Sequence, residues 1–224
     1  MKTMRGATLG LMALLATAGG VRAQAGSLLE AIAAYEDGRP EDALPALEQE
    51  LGGPDEALAR LYLGRIHYDR EEWDEAEEHL ERALELRPED VEISYALGLA
   101  YLDHIQHVSF RRKRGQANKA LNQLIATLYL DPGHVDARVS LASYYLNAPG
   151  IAGGSKDRAR EQMDAITSLD PRRGHLFRAE VHESEEEWDE AWAAYQEALR
   201  LAPTDPQVLY ASGMFKQARE AWAE

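Results

Sequence analysis

The sequence predicts an all-α chain in which antiparallel helix pairs are stacked in tandem as an α-solenoid. Three observations carry that expectation. Two distant stretches nearly copy each other: Glu72-Trp73-Asp74-Glu75-Ala76 runs on to Ala83-Leu84 and Pro88, and Glu187-Trp188-Asp189-Glu190-Ala191 runs on to Ala198-Leu199 and Pro203. An alanine in the same setting recurs at Ala43, Ala76, Ala120, Ala159 and Ala191, so the chain repeats with a period of about 34 residues. Within each copy Leu80 or Tyr195 follows the alanine by four positions and a second alanine follows three later. That is the spacing of one helical face, and the proline beyond it stops the helix.

The elements follow in order. Residues 24–56 form a first repeat, degenerate because Pro45 falls near the start of its second helix. Residues 57–90 and 172–205 hold the two best copies, and 91–134 and 135–171 hold repeats with insertions. Ahead of each anchoring alanine runs a first helix with a small residue on its inner face: Ala31, Gly64, Gly98, Ala142 and Ala179. A small side chain there lets two helices approach closely. A lone helix over 206–224 ends the chain as a cap, with Gly213 where a further repeat would place its small residue. One helix pair cannot cover its own apolar face, so neighbours must stack to bury a continuous core.

Composition narrows the function. With 224 residues and 45% hydrophobic content the chain can bury a substantial core. Residues 1–23 read as a signal peptide: Lys2 and Arg5 precede an apolar run from Ala7 to Ala18, and small-x-small triplets follow at Val21-Arg22-Ala23 and Ala23-Gln24-Ala25. The run is shorter than the roughly 20 residues a membrane span needs, which favours a removed signal over the alternative, an uncleaved anchor; no stable membrane insertion is expected once it is removed, and the product is periplasmic or secreted. The chain has no cysteine, which leaves folding to packing alone and excludes a lipidated cysteine after the signal. Loss of Lys2, Arg5 and Arg22 with the signal takes the formal charge from −15 to −18. Nucleic acid and anionic lipid are poor partners for that overall field.

Leu63-Gly64 through Ala76, Leu80, Ala83 and Pro88, and again Ala179 through Pro203, resemble the tetratricopeptide-repeat family in its exported bacterial form. The likeness extends over roughly residues 24–205. Thr127 and Ile166 depart from it, standing where the family usually has Ala. The resemblance implies a right-handed superhelix with a concave groove that binds a peptide or helix of a protein partner, here one from the cell envelope. It also implies the lining: Leu61, Arg65 and Tyr68; Tyr95, Leu99 and Leu102; Val139, Ser143 and Leu146; Leu176 and Glu180; Tyr210 and Met214. The Lys and Asn with which chaperone-tail binders of this family hold a carboxylate are missing from the equivalent places. The competing reading of these positions is core, since apolar helical stripes usually face neighbouring helices.

Other features leave alternatives open. The insertion from Asp103 to Lys119 contains Arg111-Arg112-Lys113-Arg114, read as a basic loop that either grips an anionic partner or is solvated. Ala148 to Lys156 is glycine-rich, but it follows a helix and reads Ser155-Lys156, so it lacks the order and strand of a phosphate loop. The expectation is a wide turn with Ser155 capping the next helix. His104 and His107 stand three apart, a spacing suited to metal on a helix, with no third ligand fixed. A metal-dependent enzyme is thus the alternative from another class; no catalytic, metal or cofactor residue is assigned. Self-association through the terminal helix is a further reading, because Met214, Phe215 and Trp222 would be uncovered there.

Overall fold

A computed structural model describes residues 21–223. Residues 1–20, which carry most of the signal-peptide expectation, lie outside that range. Eleven α-helices and no strand occur among the described residues, and none of these helices is long and apolar enough to cross a membrane. The chain divides into two compact units, one ending at Leu130 and the other beginning at Asp131.

The first unit holds three helix pairs: α1 (Val21–Glu36) with α2 (Pro40–Gln49), α3 (Glu56–Asp69) with α4 (Trp73–Leu86), and α5 (Val91–His104) with α6 (Phe110–Leu130). The second holds α7 (Val135–Asn147) with α8 (Lys156–Leu169), α9 (Pro171–Ser184) with α10 (Trp188–Leu201), and the single helix α11 (Pro206–Ala223) on α10. Side-chain caps mark several starts. Asp90 accepts from the backbone N–H of Glu92 and Ile93, and Asp170 from that of Arg173. Ser155 accepts from the N–H of Arg158 at 3.3 Å, as the sequence led us to expect.

Packing follows the repeat pattern. The anchors Ala43, Ala76, Ala120, Ala159 and Ala191 are all 0% exposed, because each sits where the second helix of a pair meets the first. Leu80 lies so near Gly64, and Leu124 so near Gly98, that a Cβ at either glycine would stand 2.5 Å or 2.9 Å from the leucine. The departures at Thr127 and Ile166 are both fully buried. Thr127 costs no unmet hydroxyl, since its Oγ1 lies 2.9 Å from the equally buried Ser94 Oγ and donates to the Gln123 carbonyl.

Three first helices end alike. The N–H groups of Gly38 and Arg39 bond back to Tyr35 and Ala34, those of Glu71 and Glu72 to Tyr68 and His67, and those of Glu186 and Glu187 to Glu183 and His182. Such paired back-bonds need a left-handed residue after the helix. Gly38 supplies it at φ 79°, whereas Glu71 and Glu186 are forced to φ 61°. Glycine-rich residues 148–155 form a turn with a short 3-10 segment at Gly150–Ala152, fastened by Tyr144 Oη to the Ala152 carbonyl at 2.6 Å.

Candidate functional site

In the first unit the first helices of successive repeats are joined by polar rungs. Tyr35 Oη donates to Asp69 at 2.9 Å, and one repeat later Tyr68 Oη donates to Asp103. Burial first, and the facing carboxylate next, push both hydroxyls far above the usual tyrosine range, so they remain donors. Arg65 donates to Glu92 and lies over the Tyr62 ring. These contacts correct part of the expected lining. Leu61, Arg65 and Tyr68 are buried, because the approach of α3 to α5 consumes the side of α3 that the family likeness left free. Tyr95, Leu99 and Leu102 on α5 remain half-buried.

In the second unit Leu176 is also buried, in a cluster with Ala179, Tyr195, Val208 and Phe215. It therefore belongs to the α9–α10–α11 core and not to a lining. Val139, Ser143 and Leu146 on α7 are half-buried, and Glu180, Tyr210 and Met214 are exposed. Phe215 is not uncovered as expected: it stacks on Trp192 at 6.1 Å between ring centres and meets Tyr195 at 5.2 Å.

The basic cluster is not a loop. Phe110 opens α6, so Arg111, Arg112, Lys113 and Arg114 occupy its first turns. Among the described residues none of the four forms an ion pair. Close by, Glu77 is buried, bonded to His104 Nδ1 at 2.6 Å and to Gln116, and Glu81 accepts from Tyr101 and Lys119.

The two-imidazole spacing does not make a ligand pair. His104 turns inward to Glu77 at the end of α5, while His107 lies past the helix against Trp73, 5.0 Å between ring centres. Among the described residues one other set brings metal-capable atoms together, His182, Glu185 and Glu187, within 4.8 Å of one another. Arg160 and Lys156 already hold Glu185, and His182 Nδ1 lies 2.7 Å from Glu187. The same clip recurs as His67 to Glu72 at 2.7 Å, where Arg70 replaces the third acid. The shared feature is thus a closed inter-helix turn, which needs no ion.

The tyrosine–carboxylate rungs escaped the reading of the sequence. Their signal is a pair of matched intervals: Tyr35 to Tyr68 and Asp69 to Asp103 each span about one repeat.

Family models described as TPR repeat and tetratricopeptide repeat match residues 64–104 and residues 28–79 and 151–206 respectively. No curated protein matches the sequence. Among solved structures, a thermophilic TPR protein of Thermus thermophilus is 21% identical with a TM-score of 0.68, over 87% of this chain and 99% of that one. A tetratricopeptide repeat protein of Parabacteroides merdae is 16% identical with a TM-score of 0.67, over 87% and 72%. The human IFIT1 dimer with m7Gppp-AAAA is 18% identical with a TM-score of 0.72, over 86% of this chain and 44% of that one. At these identities the likeness establishes the fold alone.

Proposed function

The chain belongs to the tetratricopeptide-repeat family, whose members generally serve as non-enzymatic scaffolds for protein–protein interaction, and from that premise we propose that it is an exported scaffold binding a peptide or helix of an envelope protein. The observation that carries this reading is the stripe left on α5 after packing. Ser94, Leu97, Gly98 and Tyr101 are buried, with Ser94 and Gly98 meeting α6 at Thr127 and Leu124. Tyr95, Leu99 and Leu102, at i, i+4 and i+7, keep part of their surface open. On α7 the same interval gives Val139, Ser143 and Leu146.

An apolar stripe of this width suits an amphipathic helix or an extended apolar peptide. Each apolar side chain fully covered on binding contributes about 1.5–3 kcal/mol, most of it offset by the cost of association, so the expected affinity is on the order of micromolar.

Changing Tyr95 and Leu99 together to Glu tests the reading. Both are partly exposed, so helical circular dichroism should persist while capture of the partner, identified by crosslinking in the exported compartment and mass spectrometry, is lost. Undiminished capture by the folded double variant refutes the assignment of this stripe.

A further inference from the structure

The insertion in the third repeat builds a surface that partner binding along α5 does not use. Helix α4 starts three residues before Ala76 and ends ten after it; α6 starts ten residues before Ala120 and ends ten after it. The additional length therefore lies entirely at the N-terminal end of α6, and seven residues of helix amount to about 10 Å. Gln116 and Ala117 are the first buried residues of α6. Ahead of them Phe110, Arg111, Arg112, Arg114 and Gly115 are exposed and Lys113 is half-buried.

This tip is built against the fold's own interest. Four cations crowd the end of the helix where the backbone dipole is already positive, with no acid in the first turn. The carboxylates that α4 turns toward α6 do not neutralise them, because Glu77 and Glu81 are engaged by His104, Gln116, Tyr101 and Lys119. Phe110, the most exposed large apolar residue described, stands 89% exposed beside the cations. Neither feature stabilises the helix, so the arrangement calls for an external counterpart.

We propose that the tip of α6, Phe110 to Gly115, is a peripheral docking point for an anionic lipid bilayer. An aromatic residue next to a compact cationic cluster matches the lipid interface, where phosphates lie outermost and the acyl boundary lies just beneath. An acidic peptide would satisfy the cations but would give no role to a phenyl ring standing in solvent. The negative charge of the rest of the chain does not prevent this contact, since at physiological salt charges more than about 8 Å away are largely screened.

The test is sedimentation of the full chain with phosphatidylcholine vesicles containing phosphatidylglycerol, and with pure phosphatidylcholine vesicles. Wild type should bind the anionic vesicles more tightly than the neutral ones and lose that excess at about 1 M NaCl, where the screening length is about 3 Å. Changing Arg111, Arg112, Lys113 and Arg114 all to Ser should weaken binding by about a hundredfold or more, with unchanged helical circular dichroism. Phe110→Ser alters no charge, should weaken binding severalfold, and keeps the outcome readable if the quadruple variant folds poorly. The apolar run Ala7 to Ala18 would bind either vesicle, so the difference between wild type and variants decides. Equal binding to both vesicle types, no loss in either variant, or capture of poly-glutamate without vesicle binding would each overturn the proposal.

Discussion

The close approach of paired helices can be tested with one substitution made at equivalent places. At Gly64 an added Cβ would stand 2.5 Å from Leu80 Cγ, 2.9 Å from its Cδ2 and 3.3 Å from the Ala76 carbonyl oxygen. Ordinary contacts lie at about 3.5–4.0 Å, and the crowded atom is the branch carbon of a side chain that is 0% exposed. Leu80 cannot swing aside, so α4 has to move by about 1 Å, an overpacking cost of about 1–3 kcal/mol. Replacing glycine by alanine inside a helix returns about 1 kcal/mol. Gly64→Ala should therefore destabilise the first unit by about 1 kcal/mol net. At Gly213, on α11, an added Cβ meets nothing within 4 Å. Gly213→Ala should stabilise the second unit by up to about 1 kcal/mol. Gly98→Ala falls between them, because the nearest atom, the terminal methyl Leu124 Cδ2, stands 2.9 Å away where Gly64 meets a branch carbon at 2.5 Å. Denaturant midpoints followed by circular dichroism supply the comparison, each unit's transition being fitted separately where the two resolve. A Gly64→Ala chain as stable as wild type, or a Gly213→Ala chain less stable, would refute the close-packing argument.

Further outcomes follow from the turns and the imidazoles. Glu71→Gly and Glu186→Gly should each raise the unfolding midpoint, by up to about 1 kcal/mol, because both replaced residues hold φ at 61°; a lowered midpoint would mean that the Glu side chains hold those turns. His79 is held below the usual imidazole range by burial first, then by His67 and Arg60, with Glu78 and Glu48 opposing, and its Nδ1 has no hydrogen-bond partner among the described residues. His175 in the second unit is lowered too, by burial and then by Arg178. A depressed folded value means that the unfolded chain binds more protons. The stability these groups contribute is therefore complete above about pH 6.5 and is lost as pH falls through the folded values. Urea midpoints measured downward from about pH 7 should decline, and His79→Leu should flatten the decline of the first unit; an unaltered slope would place its origin elsewhere.

The fold was legible wherever packing is both local and periodic. The five alanines from Ala43 to Ala191 recur because every pair needs one side chain small enough to sit at the helix contact, and all five are fully buried. The α6 extension was not legible for the opposite reason. A run of four cations with no capping acid contradicts the rules by which helix starts are recognised, so Arg111 to Arg114 read as a loop although the helix begins at Phe110.

The expected lining failed at Leu61, Arg65, Tyr68 and Leu176 through a different cause. A helix in a stacked array has three claims on its surface: its own pair, the next repeat and solvent. A one-dimensional pattern separates the first claim from the rest, because the pair contact repeats at every small residue. It cannot divide the second from the third, which depends on how near successive first helices come. The spacing of α3 and α5 is set by bonds between neighbouring repeats, Tyr68 to Asp103 at 35 residues and Arg65 to Glu92 at 27, and a helical period of 3.6 carries no trace of them. Arg65 shows the consequence most sharply. The family likeness placed it in the lining, yet it is 4% exposed with its guanidinium on Glu92, and a buried charge is tolerated only where such a partner exists. Its burial thus required an acid on the neighbouring repeat. Pairs of tyrosine and carboxylate offset by about one period, and opposite charges set on neighbouring repeats, are therefore the signal that distinguishes stacked from open faces in this chain.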